Sequence, residues 1–130
     1  MTMEKKDRAR GQAKAQIASI VELVAAMKRA DLELDREEAI QAILGDPLSV
    51  EVRSGWHTPG WHTEPCEFQI LLCTGGPACR IIGELGENNE PYNAIVEYQD
   101  WFTKWEPYTD TTPEEAEAIL EYCRCFYFGA

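Results

Sequence analysis

The sequence predicts an α+β domain: two N-terminal helices, a four-stranded antiparallel meander, and a C-terminal helix packed on the sheet. Three observations carry that expectation. Apolar residues recur every three or four positions near the N-terminus, alternate with polar ones from Leu48 onward, and return to helical spacing after Thr112. At 130 residues the chain is one domain's worth and can bury a core without metal or disulfides. Residues 1–9 read as a flexible basic N-terminus and residues 10–130 as a single domain.

Ala13, Ile17, Ile20, Val21, Val24 and Met27 form one helical stripe over residues 10–30. The stripe needs a partner, either the chain's own core or a second copy, so a homodimer through this helix is one expectation. Asp35, with Glu38 three residues on, predicts the cap of a second helix that buries Ala39, Ile40, Ile43 and Leu44. Gly45 stops that helix and Pro47 prevents its continuation.

Leu48, Val50 and Val52 then alternate with Ser49, Glu51 and Arg53, as in a half-buried strand. In "CEFQILLC", Phe68, Ile70 and Leu72 share one face, with Glu67, Gln69, Leu71 and Cys73 on the other. "TGGPA" is a hairpin turn before "CRIIGEL", and "GENNEP" is a turn before "YNAIVEYQD". Thr112, Pro113 and Glu115 make a capping box for a last helix that buries Ala116, Ile119, Leu120 and Cys123. The aromatics of "CFYFGA" are expected to dock onto the body.

The net charge is −11, and its distribution says more than its sum. Residues 1–30 carry seven bases and three acids, a net of +4, whereas residues 31–130 carry five bases and twenty acids, a net of −15. An acidic body repels phosphate, which argues against direct nucleic-acid binding and for a basic protein partner. The charged start and the amphipathic helix do not form a signal peptide, and no apolar run of about 18 residues exists to span a membrane. With five cysteines, an odd number, the expected compartment is the reducing cytoplasm.

"GWHTPGWHTEP" holds both histidines and two of the four tryptophans. His57, His62 and Cys66 are candidate zinc ligands, with Cys73 or Cys79 as a fourth, but no C-x-x-C pair accompanies them. A loop whose tryptophans fold over the sheet edge is the plainer expectation. "TGGPACR" lacks the lysine and the helix of a phosphate loop. Glu84, Glu97 and Asp100 are candidates for acid–base work, although Arg80 on the neighbouring strand is placed to neutralise Glu97. Trp101, Phe102, Trp105 and Tyr108 add an aromatic cluster. The partner-binding patch expected from these segments is Glu84, Glu87, Glu97, Asp100, Trp101 and Trp105. No catalytic triad order or cofactor fingerprint is present, so neither a nucleophilic hydrolase nor a bound cofactor is expected.

The segments "DPLSVEVRSGWH", "ILLCTGGPACRIIGEL", "VEYQDWFTKW" and "CRCFYFG" resemble a family of short, acidic, uncharacterised proteins encoded by phages and other mobile elements. The likeness covers residues 45–128. It implies a context, the cytoplasm of a host cell, and no mechanism. That context implies protein binding, with an anti-defence inhibitor (anti-CRISPR-like, a nucleic-acid mimic that competes for a basic groove of a host nucleic-acid-binding complex) as its specific form. The competing expectation is a small metal-binding protein or enzyme that uses the His57/His62 loop with strand carboxylates.

Overall fold

In the computed structural model, which describes residues 5–101 and 103–129, the first helix (α1) runs from Lys5 to Arg29. Residues 1–4, Phe102 and Ala130 lie outside the described residues. The basic N-terminus expected over residues 1–9 is therefore helical from Lys5, and packing explains why. Ala9 extends the apolar stripe by one turn and is fully buried with Ala13, Ile17, Ile20 and Val24. Arg10 anchors the same turn: its guanidinium lies 5.2 Å from the centre of the Tyr108 ring and pairs with Asp110. The stripe packs on the other two helices and on the sheet. It is thus spent inside the chain, which removes the apolar basis for a homodimer through residues 10–30.

The second helix (α2, Glu33–Leu44) begins before the expected cap. Leu32 occupies the N-cap without a side-chain hydrogen bond, and its carbonyl accepts from Arg36 N at 3.0 Å. Glu33 and Asp35 instead sit in the first turn, where carboxylates meet the positive end of the helix dipole. Only Ile43 of the expected apolar face is fully buried, and Leu44 is exposed, because α2 rests on α1 at the periphery.

Five antiparallel strands follow in sequential order: β1 (Ser49–Arg53), β2 (Glu67–Cys73), β3 (Ala78–Glu84), β4 (Ile95–Gln99) and β5 (Glu106–Pro107). The meander was expected with four. The fifth strand has two residues, too short for a period-two pattern, and is held by Tyr108 N donating to Val96 O at 2.8 Å. Phe68, Ile70, Leu72, Ile81, Val96 and Tyr98 form the covered face of the sheet. Val50 and Val52 point to the same side, opposite Ile70 and Phe68, yet are 37% and 40% exposed, since β1 is an edge strand beyond the helices.

Gly83 pairs with Phe68, and a Cβ there would overlap the Asn93 carbonyl and sit 2.6 Å from the Phe68 ring. Because one of those neighbours is backbone, Gly83→Ala is expected to cost about 1–3 kcal/mol. A lowered urea midpoint with unchanged slope is the expected result, and an unchanged midpoint is the contrary one.

The last helix (α3, Pro113–Cys123) carries the expected capping box: Glu115 N donates to Thr112 Oγ1 at 3.1 Å and Thr112 N to Glu115 Oε1 at 2.9 Å. Its buried face is Ala118, Ile119, Tyr122 and Cys123; Ala116 turns to solvent. The tail docks through Phe128, 4.8 Å from the Phe68 ring, while Tyr127 stays 84% exposed.

Candidate functional site

Strand alternation splits the sheet into a face covered by helices and an open face. The open face carries Glu51 and Arg53 on β1, Glu67, Gln69 and Leu71 on β2, and Arg80, Ile82 and Glu84 on β3. Ile95, Glu97 and Gln99 on β4 extend it. Hydrogen bonds cross four strands in one chain of partners. Gln69 Nε2 donates to Glu51 Oε1 at 3.0 Å, and Arg80 Nη1 donates to Gln69 Oε1 at 2.6 Å. Arg80 Nε donates to Glu97 Oε1 at 2.8 Å. The Trp105 ring lies over the Arg80 guanidinium at 4.2 Å and closes the ladder. Arg53 grips Glu67 with two donors at 2.9 and 3.2 Å, which pulls the Glu67 carboxyl below its ordinary range. A shallow cleft of about 300 Å³ lies among Glu51, Arg53, Glu67, Gln69, Arg80 and Ile82.

The expected patch is only partly assembled here. Glu97 and Trp105 meet at Arg80, as cross-strand neutralisation of Glu97 required. Glu84 sits at the far end of the same face and accepts from Tyr92 Oη at 3.0 Å and Asn93 Nδ2 at 2.9 Å. Glu87 is exposed on the turn beyond it. Asp100 is 5% exposed, so it is no contact residue; its Oδ1 accepts from Trp101 N at 2.8 Å. Trp101 lies against Gly76, whose missing side chain makes the room, and is 56% exposed. Reading the segments one at a time missed Glu51, Gln69, Ile82, Tyr92 and Ile95. All five lay in segments read as strands, but only the register shows that they converge.

Charge is less segregated than the sequence suggests. Lys28 pairs with Glu121 at 2.8 Å, and Arg10 with Asp110, so the basic leading helix folds against acids of the body. Arg53 and Arg80 neutralise two of the open-face carboxylates. An exposed acidic run remains on and before α2, from Asp31 to Glu38.

The Trp/His loop does not fold over the sheet edge. Trp56 is fully exposed and Trp61 is 71% exposed. His57 Nδ1 lies 3.1 Å from the Thr58 carbonyl, and His62 Nε2 lies 3.0 Å from Glu64 Oε1. Among the described residues, no group of three His, Cys, Asp or Glu side chains is placed to hold a metal ion, so His57, His62 and Cys66 are not brought together. All five cysteines are free thiols. Burial pushes Cys79 up to about 12 and raises Cys123, which keeps both protonated and poorly nucleophilic. Among the described residues no helix is long and apolar enough to cross a membrane.

These groups set an alkaline limit on the fold. Burial, then the hydrogen bond to Asp46, raises Tyr122 from its ordinary value of 10.0. The unfolded chain releases protons from its thiols near 9.0 and from its phenols near 10.0, while these buried groups in the folded chain hold theirs. Their contribution is therefore fully present below about pH 9 and lost as pH rises. The thermal midpoint is expected to fall steadily above that pH; a flat profile would contradict the assignment.

No protein-family model matches the chain, and neither a curated protein nor a solved structure matches it.

Proposed function

We propose that this chain acts by binding another protein, with the open sheet face as the contact surface and a basic protein as the partner. The observation that carries the reading is the Glu51–Gln69–Arg80–Glu97 ladder capped by Trp105. The polar groups there already satisfy one another, so a partner meets a pre-ordered surface and little side-chain freedom is lost on contact. Ile82, Ile95 and Tyr92 supply apolar area beside an arginine–tryptophan pair, the residue types that dominate binding hot spots. The net charge of −11, with the exposed acids of α2, steers a basic partner from a distance, while the open face, whose two arginines pair with Glu67 and Glu97 and leave Glu51 and Glu84 charged, makes the contact.

In its specific form this is a small acidic phage or mobile-element protein that disables a host nucleic-acid-handling or defence complex in the cytoplasm. The four segments with phage-family wording and the acidic body support that form. The test is affinity capture from bacterial host lysate with the wild-type chain and with Ile82→Asp on the open face. A basic protein retained at low salt, weakened at high salt and lost with the variant is expected. Capture of the same proteins by both chains would remove the open face from the proposal.

A further inference from the structure

The outer edge of β1 is unpaired among the described residues, because β1 ends the sheet. An open edge is a template for another strand. Natural edges are protected by proline, by a bulge or by charged side chains, lysine above all; Ser49–Arg53 carries no proline, lysine or bulge, and its two charges, Glu51 and Arg53, are of opposite sign. The side chains beside this edge are apolar and solvent-facing: Leu48, Val50, Val52 and Trp56 are 59%, 37%, 40% and 106% exposed.

We infer that a second copy of this chain pairs with that edge, β1 against β1, antiparallel about a two-fold axis at Val52. Such an axis, perpendicular to the sheet, keeps the covered faces of both copies on one side, so residues opposite each other must share a face. Three such registers, centred on Val50, Glu51 or Val52, pair more than one residue of the strand with the strand of the second copy. Centring on Glu51 opposes two carboxylates. Centring on Val50 sets Glu51 against Ser49 and leaves Arg53 against Pro47. Centring on Val52 sets Glu51 against Arg53 of the second copy, and Arg53 against Glu51 of the second copy, so both charges are matched. Val52 then meets Val52 at the axis. Carried past the end of the strand, the same register brings Trp56 opposite Leu48 of the second copy, which places the most exposed ring over an exposed leucine. The pairing doubles the sheet and leaves both open faces uncovered on the same side. It neither requires nor excludes the protein-binding reading above.

The test is sedimentation equilibrium on the full chain at about 50 µM, where a modest edge dimer is populated. Wild type is expected at twice the 14.7 kDa chain mass. E51R opposes guanidiniums and R53E opposes carboxylates across the axis, so each alone is expected at the monomer mass. An equimolar mixture of the two is expected to recover the dimer, because each cross-strand contact in the mixed pair again sets a guanidinium against a carboxylate. Val52→Lys, at a 40% exposed position, serves where R53E disturbs the Glu67 contact, and its two ammoniums at the axis are expected to give monomer. A monomeric wild type, a dimeric V52K, or a mixture that stays monomeric overturns the inference.

Discussion

Replacing Tyr122 by alanine is expected to destabilise the fold by about 4 kcal/mol, the largest single effect in this chain. Tyr122 is fully buried, and its ring centre lies 5.4 Å from that of Phe126. Its hydroxyl donates to Asp46 Oδ2 at 2.7 Å, across 76 residues, and so joins the last helix to the link between α2 and β1. Alanine removes the ring, leaves a cavity beside Phe126 and frees that link together. Since a domain of this size holds about 5–15 kcal/mol in all, the variant is brought close to unfolding. Tyr122→Phe separates the two contributions. It keeps the ring and loses one hydrogen bond to a half-buried carboxylate that water can reach, at a cost of about 1 kcal/mol. Urea unfolding followed by circular dichroism measures both; a loss under about 2 kcal/mol for alanine means that Tyr122 is not the junction described.

Trp105→Ala is expected to weaken partner binding by about 2 kcal/mol, roughly 30-fold in Kd. The ring is half-buried, stacked on Arg80, which is itself held by Glu97 and Gln69. It is thus a rigid anchor in the free chain, and a partner gains its area without ordering it. Loss of the ring costs the fold less, about 1 kcal/mol, because it stands outside the main core. Titration of the captured partner against wild type and variant measures the first effect, and urea unfolding the second. A binding loss below threefold, with the fold intact, removes Trp105 as an anchor.

The helices were legible because their signals are local. The spacing from Ala13 to Met27 and the Thr112–Glu115 box depend on residues three or four apart. The early starts of α1 and α2 were not legible, because Ala9 is buried by a distant sheet and Leu32 caps without a side-chain signal. Alternation gave β1 and β2 and the split between their faces, and the turns "TGGPA" and "GENNEP" set off β3 and β4, but no period reveals a two-residue strand such as β5. Alternation also fails to tell an edge strand from a central one, so Val50 and Val52 read as core and stand half in solvent. The site follows the same division. Arg80 facing Glu97 was readable from neighbouring strands, whereas the exposure of Asp100 and of the Trp/His loop depends on where the chain turns in space.

The open face as the contact surface is tested most directly by hydroxyl-radical footprinting of the chain, alone and in complex with the captured partner. Protection of Trp105 and Tyr92 on complex formation, with Leu32 and Leu34 at the start of α2 equally reactive in both samples, is the expected pattern. Unchanged reactivity at Trp105 and Tyr92, with protection at Leu32 and Leu34, would contradict it and move the contact to the acidic helix.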